Sequence, residues 1–332
     1  MNKHDIVERI IGGRRTPAAA QGKGIAPANI ALVKYWGKRD EALNLPVTSS
    51  LSVSLGHLGT TTTLEPIAGA DEILLNGLPV PEDTTFARRL HAYLDFFRPE
   101  PTAGYRVITR NTIPTAAGLA SSASGYAALA LALNDLPRWG LAPRDLSILA
   151  RLGSGSASRS IFTGLVRWNA GAREDGMDSF AEPIPLRFPG LRIGLIKVSV
   201  AEKAVSSRDA MKQTVAGSPL YRAWPDQVTR DLDAMLAAFQ NHDMEALGRT
   251  AENNALAMHA TAVAAWPPTL FWLPESVKAM HEMWRMRAEG LPVYFTMDAG
   301  PNLKVLTAAE HTDTVDKQFP GVEWVDPFPQ HE

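Results

Sequence analysis

With 332 residues, 45% of them hydrophobic and 20% charged, the chain has room for one large or two medium domains with real cores. Its formal net charge of −2 lacks the basic surplus of a general nucleic-acid binder. Zero cysteines exclude disulfides, thiolate metal sites and a cysteine nucleophile, and no apolar run approaches the roughly 18–20 residues that span a bilayer.

Met1 to Gly24 carries Asp5 and Glu8 and no long apolar core, so it reads as a mobile or loosely docked extension rather than a signal peptide. A cytoplasmic location is the resulting expectation. From residue 25 to 65 short β-branched runs alternate with turn residues, and Ile30–Tyr35, Leu51–Leu55 and Thr60–Leu64 all read as strands. Asn76-Gly77 between two apolar triplets is a hairpin signal. Phe86, Leu90, Tyr93, Leu94 and Phe97 form a helical stripe, and Tyr105–Thr109 returns to strand. Pro143 opens a helix that stops near Gly153. Residues 183–190, with three prolines and a glycine, are the expected boundary between two lobes, followed by the apolar strand Leu191–Val198. Beyond it the pattern is mostly helical, with Trp224, Val228, Leu232, Met235 and Phe239 as one stripe and Val277, Met280 and Trp284 as another. Strands around Val293–Met297 and Leu303–Leu306 close the chain, and the class is α+β in two lobes.

Five segments carry candidate chemistry. In Ala26–Asp40, two lysines, Lys34 and Lys38, flank Tyr35-Trp36-Gly37 at the end of a strand. Both are compatible with plain surface charges, yet Lys34 sits inside an apolar run, where a lysine is expensive unless it meets a partner. Pro114–Gly125 is a small-residue loop running into an alanine- and leucine-rich helix. Gly118 allows close backbone approach, and Ser121, Ser122 and Ser124 sit near a helix N-terminus, where backbone N–H groups favour an anion. A capped turn before a helix has the same look, and no Walker lysine follows. Any phosphate there recruits its cations from elsewhere in the chain.

The third segment, Gly153–Ser160, is another Gly/Ser loop with Arg159 built in, whose planar fork matches a phosphate or carboxylate. The fourth joins Lys203 to Ser206-Ser207-Arg208-Asp209; one of its serines also suits a helix N-cap. The fifth is Asp298-Ala299-Gly300-Pro301-Asn302, which reads equally as a plain connector or as a carboxylate set at the end of a buried strand. His259, bracketed by apolar residues, reads as a packed structural residue. Two Gly/Ser loops, scattered cations and one acid suit phosphoryl transfer, which depends on positioning and charge neutralisation.

The order of KYWGKRD (Lys34–Asp40), PTAAGLASSASGYA (Pro114–Ala127), SGSASRS (Ser154–Ser160), SSRDAM (Ser206–Met211), MHAT (Met258–Thr261) and MDAGPN (Met297–Asn302) resembles the diphosphomevalonate decarboxylase family of the GHMP kinase superfamily. The resemblance spans about Ala26 to Asn302. It implies a two-lobed GHMP kinase fold: an extension over 1–24, a lobe like ribosomal protein S5 domain 2 over 25–187 that carries the ATP phosphate loop, and a ferredoxin-like lobe over 188–332. It further implies ATP-dependent decarboxylation of (R)-5-diphosphomevalonate to isopentenyl diphosphate, with ATP and Mg2+, no dedicated protein metal cage, and a homodimer.

Carried over by position, Asp298 would orient or deprotonate the 3-hydroxyl beside Lys34, and Asn29 and Arg159 would lie by the carboxylate. Tyr35, Lys38, Ser154, Gly155, Ser156, Arg159 and Arg208 would surround the 5-diphosphate. Gly118, Ser121, Ser122 and Ser124 would hold the ATP phosphates, with Lys203 near the transferred group. The competing expectations are a phosphomevalonate decarboxylase, a mevalonate 3-kinase, or a non-catalytic nucleotide-binding protein on the same scaffold.

Overall fold

The computed structural model describes residues 1–112, 121–199 and 205–329. The first lobe runs α1 (Lys3–Ile11), β1 (Gly22–Val33), β2 (Lys38–Asp40), β3 (Leu45–Pro46), β4 (Ser50–Ala68), β5 (Glu72–Leu75), β6 (Leu78–Pro79), α2 (Thr85–Leu94), β7 (Ala103–Asn111), α3 (Ser121–Asp135), α4 (Pro143–Gly153), a 3-10 turn (Gly155–Ile161), β8 (Leu165–Trp168) and β9 (Ala181–Ile184). The second runs β10 (Leu191–Ile196), α5 (Ser207–Gly217), α6 (Trp224–Asn241), α7 (Met244–Val263), α8 (Pro274–Ala288), β11 (Tyr294–Met297), β12 (Leu303–Ala308), α9 (Thr312–Gln318) and β13 (Glu323–Val325). Among the described residues no helix is long and apolar enough to cross a membrane.

The axis of the first sheet is β4. Two expected strands, Leu51–Leu55 and Thr60–Leu64, are one, because β1 pairs antiparallel along it from Gly22 opposite Leu64 to Val33 opposite Leu51. The opposite edge of β4 is shared by β7 and β8, and the path β6-β5-β7-β4-β8-β9 completes the sheet. Asn76 and Gly77 both adopt positive φ, 52° and 85°, which closes the expected hairpin between β5 and β6. The chain leaves this sheet at Ile184 and enters a four-stranded antiparallel one, β11-β12-β10-β13, at Leu191. Alanines at 127, 128 and 130 let α3 lie close on β1 at Ala26.

Two further readings change. The extension does not hang loose: α1 buries Ile6, Val7 and Ile11 among Tyr93, Phe97, Leu133 and Trp139. A capping box starts it, Asn2 N–H donating to Asp5 Oδ2 at 2.8 Å and Asp5 N–H to Asn2 Oδ1 at 3.0 Å. Helix α8 is rotated from the expected stripe; Ala279, Met280, Met283 and Met286 face inward, while Val277 and Trp284 are each 37% exposed.

If α1 is part of the core, Ile6→Ala is expected to lower unfolding free energy by about 2–4 kcal/mol in chemical denaturation. A loss below about 0.5 kcal/mol would mean the helix contributes nothing to the fold.

The largest hydrophobic cluster crosses between lobes, joining Ile30, Val33 and Trp36 to Leu191, Trp224 and Met258. That shared core holds the ends of β1 and β11 face to face across a cleft.

Candidate active site

The cleft encloses about 300 Å³ and draws its walls from both lobes, Asn29, Lys34 and Tyr35 on one side and Arg208, Met258 and Asp298 on the other. Lys34 follows the last residue of β1 and is 2% exposed. Its backbone N–H donates to Asn254 Oδ1 of α7 at 2.8 Å, which locks the strand end against the second lobe. Its Nζ donates to Ala31 O at 2.8 Å and to Asp298 Oδ1 at 2.9 Å. The expected meeting of acid and lysine is therefore present.

Asp298 leaves β11 in a tight turn, with Gly300 N–H donating back to its carbonyl at 2.7 Å. A second buried ammonium, Lys304 of β12, lies 3.4 Å from its Oδ2. The carboxylate is 26% exposed and so remains open to the cleft. Burial pushes the Lys34 ammonium down to about 8, with the Asp298 charge opposing that fall and Lys304 adding to it. His259 Nε2 sits 3.1 Å from Asp298 O; a carbonyl only accepts, so this nitrogen carries the proton. Burial, then the Lys34 charge, drop the imidazole to about 3, which keeps it neutral. The histidine is thus packed, as expected, and it also fixes the aspartate backbone.

At the other pole the 3-10 turn presents Arg159, only 3% exposed. Its Nε donates to Asn29 Oδ1 at 3.2 Å and its Nη1 to Ser50 Oγ at 2.6 Å, while Asn29 Nδ2 donates to Ser160 Oγ at 2.7 Å. Burial lowers the guanidinium to about 10, still charged at neutral pH. Tyr35 packs edge-on against Trp168 at 4.7 Å, and burial raises its phenol. Its buried hydroxyl has no hydrogen-bond partner among the described residues, which leaves it open to a ligand. Gly37 adopts φ +108° where a Cβ would strike the Tyr221 hydroxyl, so the KYWGKRD turn requires glycine. Lys38 Nζ is held by Glu41 Oε2 at 2.8 Å.

Ser122, Ser154, Gly155, Ser156, Arg159 and Arg208 all line the same cleft. The Ser154 hydroxyl lies 3.4 Å from those of both Ser122 and Ser156, weak contacts that a ligand oxygen can replace. Arg208 lies in the first turn of α5, which Ser206 caps by accepting from Asp209 N–H at 3.2 Å.

Ser124 is not brought to the cleft. It is buried, sharing a 2.7 Å hydrogen bond with Thr60 of β4, because two residues beyond Ser122 the helix has turned about 200°. Gly118, Lys203 and the side chain of Ser121 lie outside the described residues. Sequence reasoning missed Lys304, Asn254 and Arg89. Lys304 carried the signal used for Lys34, a lysine within the apolar run Leu303–Leu306. Arg89 of α2 gave no signal, being one of several charges on a helix surface, yet it lines the cleft.

Both lobes have counterparts among known proteins. A model described as the diphosphomevalonate decarboxylase-like N-terminal domain matches residues 26–181. One for the mevalonate 5-diphosphate decarboxylase C-terminal domain matches 194–323. The diphosphomevalonate decarboxylase mvd1 of Aspergillus fumigatus is 39% identical over 317 residues, covering 87% of this chain and 77% of that one. The structure of the mevalonate diphosphate decarboxylase from Enterococcus faecalis superposes with a TM-score of 0.84 at 41% identity, covering 92% and 96% of the two chains. A structure of MDDEF in complex with MVAPP, AMPPCP and magnesium gives 0.85 at 42% identity, with the same 92% and 96% coverage. These likenesses span both lobes and the two-lobed α+β fold.

Proposed function

The chain belongs to the diphosphomevalonate decarboxylase family, and from that premise we propose how its cleft performs the family's reaction. It catalyses ATP-dependent decarboxylation of (R)-5-diphosphomevalonate to isopentenyl diphosphate, releasing ADP, phosphate and CO2. The observation that carries the site assignment is the Asp298–Lys34 pair, 2.9 Å apart, joining the two lobes at one end of a cleft whose other end is cationic.

Asp298 accepts the proton of the tertiary 3-hydroxyl as that oxygen forms a bond to the γ-phosphorus and ADP leaves with the broken bond's electrons. Lys34 and Lys304 keep the carboxylate ionised beforehand and offset negative charge on the attacking oxygen. The C3–O bond then breaks with phosphate as leaving group. The C1–C2 bonding pair becomes the C2=C3 double bond and CO2 departs. Arg159, braced by Asn29 and Ser50, orients the carboxylate until that bond breaks. Tyr35, Lys38, Ser154, Gly155, Ser156 and Arg208 hold the 5-diphosphate, with Glu41 yielding Lys38 to it.

Ser122 faces the cleft at the nucleotide end, and Gly118, Ser121 and Lys203 keep their proposed place there; Ser124 acts through the α3–β4 packing instead. Mg2+ would be held largely by the nucleotide's phosphates, because bridging phosphate oxygens needs a hard divalent ion. When bound, Mg2+ neutralises phosphate oxygens. The lobes 25–187 and 188–332, a homodimer and a cytoplasmic location remain part of this reading. The change of sheet between Ile184 and Leu191 supports the first, and the exposed apolar side chains of Trp266 and Leu270, 82% and 63% exposed, support the second.

Incubation with ATP and Mg2+ and, in turn, the 5-diphosphate, the 5-monophosphate and mevalonate tests the assignment. CO2 release is expected from the diphosphate alone, and chelation of Mg2+ is expected to stop it. Comparable release from the monophosphate, or phosphorylation without CO2, would overturn it.

A further inference from the structure

Helix α1 lies outside both segments matched by the family models, residues 26–181 and 194–323. It does more than fill the core. Its first residue, Lys3, faces a side pocket of about 190 Å³ together with Arg89, Tyr126 and Arg208. Arg89, Tyr126, Gly153 and Arg208 also line the main cleft, so the two spaces share a wall at the cationic pole.

No acidic side chain lines the side pocket, and among the described residues Lys3, Arg89 and Arg208 make no ion pair. Three cations gathered around one concavity repel each other until an anion joins them. Lys3 is placed there by its helix and not by a partner of its own: the Asn2–Asp5 capping box fixes the first turn, and Ile6, Val7 and Ile11 anchor the rest of the helix. Burial, then the charges of Arg208 and Lys38, lower its ammonium to about 8.

We infer that Lys3 is a specificity-determining residue, contacting the terminal phosphate of the substrate 5-diphosphate and so favouring it over a monophosphate. The inference rests on the substrate reading above. The terminal phosphate is remote from the C3 centre, so this contact acts on binding equally in ground and transition states. ATP phosphates have the same chemistry, but Arg208, assigned to the 5-diphosphate, and Gly153 beside Ser154 line both spaces, which favours the 5-diphosphate.

Lys3→Met and Lys3→Arg in the full chain, assayed with saturating ATP and Mg2+, test it. For Lys3→Met, KM for the diphosphate substrate should rise about tenfold, and inhibition by inorganic pyrophosphate should weaken about as much. Its kcat and KM for ATP should stay within about twofold, and Lys3→Arg should stay within about threefold of wild type throughout. Unchanged KM and pyrophosphate inhibition in a Lys3→Met protein of wild-type melting temperature would overturn the inference. So would equal losses in both variants, or a rise confined to the KM for ATP. Failure of the wild-type protein to release CO2 from the diphosphate would instead sink the substrate reading, while pyrophosphate binding would still report on Lys3.

Discussion

Asp298→Asn is expected to lower kcat by about 10³-fold, with KM for ATP and for the diphosphate substrate changed by less than about threefold. Asparagine keeps the shape of the turn and the backbone hydrogen bond from His259, but its amide cannot take the hydroxyl proton. The substitution also strands Lys34 and Lys304, both buried, without their shared counter-charge. Removing one member of such a buried group typically destabilises by about 3–5 kcal/mol. Both influences that hold the Lys34 ammonium up come from Asp298, so its pKa should fall further and relieve part of that penalty. A melting curve and an ATP-binding titration separate the two effects. A folded, ATP-binding variant with kcat within about tenfold of wild type would remove the aspartate from the reaction.

Arg159→Lys is expected to lower kcat/KM by about 10²-fold, although it conserves formal charge. Two edges of the guanidinium are already committed, Nε to Asn29 and Nη1 to Ser50, and these bonds aim the group. A lysine ammonium reproduces neither the fork nor its orientation. Burial that lowers the guanidinium to about 10 would lower an intrinsically weaker base further and bring its neutral form toward physiological pH. The substitution also removes the donor to Asn29 Oδ1, while Asn29 Nδ2 stays bonded to Ser160 Oγ and Ser156 O, so the loss falls mainly on the guanidinium's own contact with the carboxylate. Steady-state kinetics on the diphosphate substrate decides, and a loss of less than about fivefold would show that the arginine only supports the fold.

Part of this site is legible residue by residue. A lysine inside an apolar run demands a counter-charge, and that rule found Lys34; applied to Leu303–Leu306 it would have found Lys304 as well. Turn chemistry is local, so Asn76-Gly77, Pro143 and a serine cap at 206 or 207, which the structure gives to Ser206, were readable from a few neighbours. Other features have no local signature. The stretch holding Ile6, Val7 and Ile11 reads as a loose extension, and nothing nearby in the chain indicates that these three join a buried cluster with Tyr93, Phe97 and Trp139. Gly59 pairs with Pro27 of β1 and Gly56 falls in the register shift that follows, so β4 runs through both only because β1 pairs on either side. Ser122 and Ser124 are equivalent as letters, and only the helical turn between them sends one to the cleft and the other into the packing with Thr60.

Residue order alone specified the chemical inventory and the family, because motif spacing and burial of unlike groups leave marks on short stretches of chain. Folding in three dimensions chose the pairings. Lys34 and Asp298 are 264 positions apart, and Arg208 reaches the first lobe's phosphate pole from the second. Those encounters are set by the apolar core shared between the lobes and by Asn254 gripping the end of β1, long-range contacts that no local propensity encodes.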